Sequence, residues 1–417
     1  MSTTEKLNGY GPLAGVKVVE LCEWVAAPAC VRCLSEMGAT VIKVEPPYGD
    51  AQRTQGPGFG CEQTDMEDPT IDLNNTNKNF VSINLKNEEG MKFMKKLLAD
   101  ADIFVNNLRD KALNKMGLDY ETLHKEFPTL IWAQMRGYGE YGPEKDSPGF
   151  DAVCWAARGG VANVFREDGE SPAIAPQAFG DYNVGHMLAT GIVSALFNRT
   201  RTGKGEKVVT NLYAGAIWGG NIGICATQFG APYPKSRKHV PNPFNNTYRT
   251  YDDKWIYICM PQYDKYYPMM MGLFGHEDQI ENPDTNNLTS LKASGKNVEV
   301  IDWLEKAFAK KTFDEWMAIF KENEVPAQKC FRYTDVVKDE EAYDNDALRM
   351  VEYEAYGKRA LPMTPVRFGS YGDPPVVLSK PIGYHTAEFM HDYGIVTCSR
   401  HLNLTDFEVG ASCSIAL

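Results

Sequence analysis

Short apolar runs alternate with amphipathic stretches over the first 210 residues of the chain. Residues 15–21 and 40–45 have the composition of buried strands, and residues 28–37 between them have the apolar spacing of a helix. A strand, a helix and a second strand within about 30 residues form a βαβ unit, which requires parallel pairing. The N-terminal pattern therefore predicts a parallel sheet.

The alternation resumes after a polar stretch at residues 49–79, which predicts mostly loop. Further strands and helices are predicted, in chain order, at 81–85 (strand), 88–101 (helix), 103–105 (strand), 112–116 and 120–126 (helices), 130–135 and 208–212 (strands). Regular alternation of this kind is typical of an α/β fold with helices on both faces of the sheet. We predict a large doubly wound α/β domain over residues 1–210.

The sequence changes in character after residue 210. Residues 211–234 form a linker whose Gly- and Ala-rich part predicts a closely packed helix, and residues 231–249 are rich in Pro, Asn and basic side chains, which predicts a mobile loop. A strand at residues 255–260 and a helix beginning with the capping box Thr312–x–x–Glu315 follow. We predict a smaller α+β domain at residues 235–330 and a last segment, 331–417, with a helix near 335–348.

Composition narrows the classes of function. The chain has 417 residues, 43% of them hydrophobic and 24% charged, which is typical of a globular protein with about two or three domains. The formal charge of −12 argues against nucleic acid or an anionic membrane as a partner. Ten scattered cysteines and an N-terminus without an apolar signal segment lead us to expect a cytoplasmic protein with reduced thiols.

Several kinds of enzyme chemistry lack their sequence signatures. The loop after the first strand, residues 22–28, has no GxGxxG, so NAD binding is not expected. The chain has no GxSxG nucleophile motif, and its seven histidines show no HExxH or comparable metal-ligand spacing. Cys30 and Cys33 form a lone CxxC, which we interpret as small residues inside a helix rather than a redox or metal site.

Cationic residues gather near the predicted strand ends of the large domain. In an open α/β sheet, ligands bind beyond the carboxyl ends of the strands, so this basic rim would suit a phosphorylated ligand. An ordinary solvated face explains the same pattern equally well. The residues concerned are Lys43, Arg53, Lys78, Lys86, Arg109, Lys111 and Lys115.

Asp181 stands at the start of an apolar helical run, in the segment Phe179–Gly–Asp–Tyr–Asn–Val–Gly–His186. An Asp in that place can cap the helix, where free backbone N–H groups and the helix dipole would keep its carboxylate ionised. A carboxylate can also act as a nucleophile in covalent catalysis. From the segment itself both roles stay open.

The ordered set of short motifs along the chain resembles the class III CoA-transferases, the formyl-CoA and carnitine CoA-transferase type. The resemblance runs from about residue 12 to residue 390 and rests on residues 13–21, 26–28, 38–46, 49–50, 77–78, 83–86, 107, 113–117, 137–139, 148–151, 180–181 and 202–205. The chain is most similar to the branch that acts on 2-hydroxy acids, such as phenyllactate and 2-hydroxyisocaproate CoA-transferases. That similarity rests on residues 136–140, 148–151, 157–160, 241–244 and 260–264.

This resemblance implies roles for particular residues. Asp181 matches the nucleophile of the family, which would carry the acyl group and then CoA. The resemblance implies no metal and no tightly bound cofactor, with CoA and acyl-CoA as substrates. By position, the CoA contacts would be Val25, Ala26, Ile83, Asn84, Leu85, Lys86, Asn107, Leu108, Arg109, Lys115, Pro148, Gly149, Phe150 and Asp151.

The resemblance also carries expectations about assembly and pathway. It implies an interlaced homodimer whose large domain combines residues 1–210 with the C-terminal part, and a 2-hydroxyacyl-CoA dehydratase as pathway partner in amino-acid fermentation. Three departures stand out. Pro46 replaces an Arg found in some members, a contact that Arg53 could supply; the basic loop 235–239 stands where a glycine-rich lid is found; and the chain departs from the usual ending after residue 393.

Two other functions remain open at this point. A 2-methylacyl-CoA racemase or epimerase would share the fold and much of the opening motif, and it would need an acid/base pair such as His186 with Asp181. A CoA-binding protein without turnover is the second alternative. Exchange of the α-hydrogen without CoA transfer would indicate the first, and measurable acyl exchange between two acids would exclude the second.

Overall fold

The computed structural model describes residues 10–395, which form two compact units. One unit comprises the described residues up to Val161, Ile174–Ile224 and those from Glu341 onward, and the other comprises Ala162–Ala173 and Cys225–Glu340. Across the described range, the chain has no helix with the length and hydrophobicity needed to span a membrane.

The larger unit is built on a parallel sheet of six strands. In chain order they are β1 Lys17–Leu21, β2 Thr40–Glu45, β3 Lys78–Ser82, β4 Ile103–Asn106, β5 Ile131–Arg136 and β6 Lys207–Asn211. Their spatial order is β3-β2-β1-β4-β5-β6, so the order reverses between β1 and β4. This arrangement confirms the predicted doubly wound α/β class, and such a reversal point is where ligands bind in open α/β sheets.

The helices of the larger unit follow the predicted alternation. They are α1 Ala26–Glu36, α2 Pro69–Asn75, α3 Glu88–Ala99, α4 Asp110–Met116, α5 Tyr120–Glu126, α7 Phe179–Thr202, α8 Leu212–Gly219 and the first part of α9 Asn221–Thr227, with α15 Glu340–Asp344 and α16 Thr386–Asp392 towards the C-terminus. The short helix α6 Val161–Val164 belongs mostly to the smaller unit. One face of the sheet packs on α3, α4 and α5, and Phe389 and Met390 of α16 join the same core. The polar stretch 49–79 is less irregular than predicted, because α2 and two short 3₁₀ helices lie within it.

The third strand begins earlier than its hydrophobic pattern predicts. β3 pairs with β2 from Lys78 to Ser82, whereas the alternation of residues 81–85 indicated a strand three residues later. Ile83 and Leu85 keep the apolar pattern because they pack on the core beyond the end of the ladder. Residues 83–86 therefore lie at the carboxyl end of a strand, where loops carry functional groups.

Helices α1 and α7 cross at a glycine. A Cβ atom on Gly185 would lie 2.8 Å from the carbonyl oxygen of Ala26 and 3.1 Å from the backbone nitrogen of Cys30. The absence of a side chain therefore allows the two backbones to approach. Since Gly185 lies one turn after Asp181 on α7, this close crossing holds Asp181 near the start of α1.

The smaller unit has an aromatic core beneath an antiparallel sheet of three strands. The sheet consists of β7 Asn245–Arg249, β8 Trp255–Cys259 and β9 Ala327–Lys329, and the helices are α10 Tyr263–Phe274, α11 Leu288–Ser294, α12 Asn297–Phe308, α13 Phe313–Glu322 and α14 Tyr333–Val336. The capping box predicted at Thr312 is confirmed, since Thr312 and Glu315 exchange side-chain and backbone hydrogen bonds at the start of α13.

Two sequence predictions in the C-terminal half were wrong. Residues 245–249 form β7, although residues 231–249 were predicted as a loop; pairing with β8 overrides their polar composition. The single helix predicted near 335–348 is two short helices, after which Asp346 adopts φ 52° and the chain enters the antiparallel pair β10 Leu348–Tyr353 and β11 Gly357–Pro362. Such left-handed backbone ends a helix whatever the periodicity around it.

Candidate active site

The carboxyl ends of β1 and β4 carry loops that are bonded to each other. The backbone N–H of Glu23 donates to Asn107 Oδ1 over 3.1 Å, and Asn107 Nδ2 donates to the carbonyl oxygen of Glu23 over 2.7 Å. Val25 and Ala26 follow directly and are buried at the start of α1. The structure thus brings three of the predicted CoA contacts together at the reversal point of the sheet.

An aromatic pair joins residues 148–151 to the same edge. The rings of Trp24 and Phe150 meet edge to face with centroids 5.3 Å apart, and Phe150 is more than half exposed. Behind Phe150 the chain is tightly packed, since a Cβ atom on Gly149 would lie 2.5 Å from Cys154 Sγ and 3.0 Å from the Cα of Gly137. This loop is therefore closely packed, and Phe150 places it beside the loop that follows β1.

Asp151, not Asp181, caps helix α7. The helix begins at Phe179 after Ala178, which has φ 58° and offers no side-chain cap. Asp151 is buried, and its Oδ2 accepts a hydrogen bond from the backbone N–H of Gly180 over 3.4 Å. The prediction of Asp181 as the N-cap was wrong, because the helix starts two residues before it.

Asp181 lies in the first turn of α7 as a partly buried carboxylate. Within residues 10–395 its side chain makes no hydrogen bond or ion pair. Burial raises its pKa to about 7, and the neighbouring carboxylate of Asp151 acts in the same direction. The expectation that capping keeps Asp181 ionised was therefore wrong: the carboxyl group titrates near neutral pH. A carboxylate of raised basicity that lacks competing donors is a stronger nucleophile.

Gly180 leaves no space for a side chain beside Asp181. A Cβ atom there would lie 2.3 Å from Asp151 Oδ1 and 2.3 Å from Trp155 Cγ. Trp155 is buried and packs against Phe179, with ring centroids 5.7 Å apart. The glycine before Asp181 thus permits the contact between α7 and Asp151.

The remaining predicted CoA contacts divide into core and surface residues. Ile83 and Leu85 pack on the core, and the Leu108 carbonyl oxygen accepts a hydrogen bond from Gln134 Nε2 over 2.8 Å. Asn84 Oδ1 accepts from the backbone N–H of Lys86 over 3.1 Å. Three cations are exposed and have no ion-pair partner in the described part of the chain: Lys86, Arg109 and Lys115. They are available for phosphate groups.

Three members of the predicted basic rim are not available. Lys43 and Lys78 are fully buried in ion pairs with acidic residues. Arg53 binds Glu45 through Nε and Nη2, at 2.8 and 3.0 Å, and also donates to the carbonyl oxygen of Lys380. Arg53 therefore does not supply the phosphate contact that Pro46 removes. Lysines inside a protein must be paired, and a local sequence pattern does not distinguish them from exposed ones.

His186 is directed at a cysteine rather than at Asp181. Its ring nitrogens lie 3.6 and 3.7 Å from Cys33 Sγ, and Nδ1 lies 3.4 Å from the carbonyl oxygen of Tyr182. Five residues apart on one helix, the side chains of Asp181 and His186 point about 140° apart. They are not arranged as an acid/base pair.

Comparison with known proteins shows to which protein family the chain belongs. Residues 13–386 match the sequence profile described as CoA-transferase family III, and the chain belongs to that family. The family resemblance inferred from the motifs is thereby confirmed, and the chain is a CoA-transferase enzyme, a class that uses acyl-CoA as substrate.

Individual proteins of the family are similar to this chain over most of its length. The chain is 40% identical to cinnamoyl-CoA:phenyllactate CoA-transferase of Clostridium sporogenes, over 93% of this chain and 94% of that protein. It is 39% identical to (R)-2-hydroxy-4-methylpentanoate CoA-transferase of Clostridioides difficile, over 92% and 95%. Among solved structures, Rv3272 from Mycobacterium tuberculosis superimposes with a TM-score of 0.77 at 28% identity, covering 92% of this chain and all of that one.

Proposed function

We propose that the enzyme moves CoA from an enoyl-CoA to a 2-hydroxy acid through a covalent intermediate on Asp181. The observation that carries the proposal is the environment of Asp181: a partly buried carboxylate, without a hydrogen-bond partner in the described chain, in the first turn of the helix that crosses α1 at Gly185. The two relatives near 40% identity are named for phenyllactate and for (R)-2-hydroxy-4-methylpentanoate, both 2-hydroxy acids. These names support a 2-hydroxy acid as the acceptor of CoA.

The proposed reaction proceeds in carboxylate and thiolate steps. An Asp181 oxygen attacks the carbonyl carbon of the donor thioester, the C–S bond breaks, and its electron pair leaves with the CoA thiolate, giving a mixed anhydride. The thiolate then attacks the Asp181 carbonyl carbon and releases the donor acid, leaving an aspartyl-CoA thioester. The acceptor carboxylate opens this thioester to a second anhydride, and the returning thiolate forms the new acyl-CoA and frees Asp181.

The protein contributes positioning and protection from water. A pKa of about 7 leaves Asp181 largely ionised at slightly alkaline pH, and its partial burial removes solvent that would stabilise the ground-state anion. An anhydride hydrolyses readily, so residues that cover Asp181 increase the yield of transfer. In this proposal Lys86, Arg109 and Lys115 bind the phosphates of CoA, while Val25, Ala26 and Asn107 contact its pantetheine arm.

Exposed aromatic rings near Asp181 support an apolar acyl chain. Phe150 is 55% exposed and Trp24 meets it edge to face, whereas the Tyr182 hydroxyl is directed at Asn74, where burial raises its pKa. Trp155, in contrast, is buried beneath Gly180 and belongs to the core. We propose that this aromatic surface contacts an aryl or branched side chain, as the phenyllactate and methylpentanoate in the relatives' names suggest.

We further propose that the enzyme is an interlaced homodimer. Large apolar side chains on α7, α8 and α9 of the larger unit lie exposed between residues 193 and 222, and exposed apolar residues of this size support an association site. These side chains are Val193, Phe197, Ile217, Trp218 and Ile222. Light scattering of the full chain tests the dimer.

We also propose a cytoplasmic location and a 2-hydroxyacyl-CoA dehydratase as pathway partner. Free thiols at every described cysteine support the cytoplasmic location.

The decisive experiment combines substrate profiling with variants of Asp181. Donor acyl-CoAs are incubated with 2-hydroxy acids in deuterated buffer, and the products are analysed by mass spectrometry. We expect transfer by the wild type and a loss of about 10³-fold or more in Asp181→Ala and Asp181→Asn. The exposed control Asp146→Asn retains activity. After incubation with acyl-CoA, hydroxylamine should convert the activated Asp181 carbonyl of the wild type into a hydroxamate, with release of the donor acid or CoA.

Two outcomes would contradict the proposal. Transfer at near wild-type rate by Asp181→Ala would exclude this residue as the nucleophile. Incorporation of deuterium at the α-carbon without CoA transfer would identify the racemase or epimerase chemistry instead.

A further inference from the structure

Four charged side chains form a closed cluster inside the larger unit. Glu20, Lys43, Asp50 and Lys78 are each at most 2% exposed. Lys43 Nζ lies 3.1 Å from Glu20 Oε1 and 2.9 Å from Asp50 Oδ2, and Lys78 Nζ lies 2.7 Å from Glu20 Oε2. Two carboxylates and two ammonium groups balance the charge. Burial of such a cluster is a weak source of stability, because apolar residues of similar volume serve a core as well or better.

The cluster is bonded to the backbone of the loop that follows β1. Lys43 Nζ donates to the carbonyl oxygen of Cys22 over 3.0 Å, and Lys78 Nζ donates to that of Pro28 over 2.9 Å. Asp50 Oδ1 accepts a hydrogen bond from the N–H of Trp24 over 3.0 Å. These bonds hold the loop at Cys22 and Trp24 and the first turn of α1 at Pro28. Apolar replacements for the four charged residues would provide none of these three bonds.

Trp24 shows why the loop needs such support. Its backbone has φ 68°, a left-handed conformation that is unfavourable for a residue with a large side chain. Strained backbone of this kind persists only where surrounding contacts impose it, and it concentrates at functional sites. The conformation directs the Trp24 ring towards Phe150 and places Val25 and Ala26 at the start of α1.

We propose that Asp50 is a positioning residue for substrate binding. Its carboxylate, oriented by Lys43, holds Trp24 in the left-handed conformation and so fixes Val25 and Ala26 in the geometry that receives CoA. This inference rests on the proposed function, since that proposal places CoA at Val25 and Ala26. Asp50 itself does not contact the substrate in this scheme; it acts through the Trp24 N–H.

Helix α1 offers a matched control at its opposite end. Arg32 and Glu36 form another buried ion pair, with Arg32 Nε 2.7 Å from Glu36 Oε1. Arg32 also donates to the carbonyl oxygens of Leu73 and Pro362, so this pair is bonded to other parts of the unit. Glu36→Gln therefore breaks a buried ion pair on the same helix without releasing residues 22–28.

The test uses three variants of the full chain: Asp50→Ala, Asp50→Asn and Glu36→Gln. All three break a buried ion pair, but Asp50→Asn keeps an oxygen that can accept the Trp24 N–H, whereas Asp50→Ala does not. Titration calorimetry gives the Kd for free CoA, steady-state kinetics separates KM from kcat, hydrogen exchange reports the peptide over residues 22–28, and thermal unfolding reports stability.

We expect the Kd for CoA to rise by about tenfold or more in Asp50→Ala, with faster exchange over residues 22–28 and a matching rise in KM. Asp50→Asn and Glu36→Gln should keep the Kd within about threefold of wild type despite a lower unfolding temperature. Equal weakening of CoA binding in all three would overturn the inference, as would unchanged binding in Asp50→Ala. Free CoA is the probe, so the test of Asp50 depends on CoA binding and not on transfer. A wild type that binds CoA but transfers none would contradict the proposed function and leave the inference about Asp50 intact.

Discussion

Replacing Asp181 with Asn should make the protein more stable at alkaline pH while removing its activity. Burial, assisted by Asp151, raises the pKa of Asp181 in the folded protein from an ordinary value of 3.8 to about 7. The folded state therefore binds a proton that the unfolded chain releases between these values. Stability contributed by this group falls as the pH rises from about 4 to about 7, and the full penalty applies above pH 7.

The size of the effect follows from the pKa change. A rise from 3.8 to about 7 corresponds to about 4 kcal/mol of unfavourable free energy for the ionised group in the folded protein. Of this, about 3 kcal/mol develops between pH 5 and pH 8. Asn carries no charge at either pH. The unfolding free energy of Asp181→Asn relative to wild type should therefore increase by about 3 kcal/mol between these pH values.

Urea unfolding at pH 5 and pH 8, followed by tryptophan fluorescence, measures this difference. Asp146→Asn, which removes an exposed carboxylate of the same unit, is the control and should show little change between the two pH values. A stability difference for Asp181→Asn that is the same at pH 5 and pH 8 would refute the reasoning. A stabilised but inactive variant would be an example of an active-site residue whose function opposes stability.

Two further predictions concern neighbours of Asp181 and the phosphates of CoA. Gly180→Ala forces a Cβ against Asp151 and Trp155, so we expect a loss of about 1–3 kcal/mol in unfolding free energy and slower CoA transfer. Gly219→Ala is the control, because a Cβ at that position meets open space. Equal effects of the two substitutions would contradict the crowding argument. Arg109→Ala should raise KM about fivefold for acyl-CoA but not for the acyl-pantetheine thioester; the same rise for both thioesters would show that Arg109 does not bind phosphate.

The sequence by itself determined the architecture and the class of enzyme. The regular alternation of apolar and amphipathic stretches predicted a doubly wound α/β fold, because each period reports the face that a strand or helix buries. The capping box at Thr312 was readable for a similar reason, since both partners lie within one turn. The ordered motifs over residues 12–390 indicated the CoA-transferase family, which the comparison confirmed.

The tertiary structure decided which charged groups are available for chemistry. The sequence pattern placed Lys43, Lys78 and Arg53 in a candidate phosphate-binding rim. In the structure each of them forms a buried or partly buried ion pair with an acidic residue. Some of these partners are distant in the chain, and local periodicity carries no information about such contacts. Hydrogen bonds and ion pairs of this kind become visible only when the sheet places its strands side by side.

The surroundings of Asp181 also depend on residues that are distant in the sequence. Its segment was compatible with an ionised helix cap, whereas in the structure the carboxylate of Asp151, 29 residues away from Gly180 in sequence, accepts the Gly180 N–H, and Asp181 lies in the first turn. The pKa of a carboxyl group depends on its desolvation and on neighbouring charge, and both arise from packing between separate elements. The sequence therefore proposed Asp181 as the nucleophile, and the folded structure determined the surroundings on which its protonation depends.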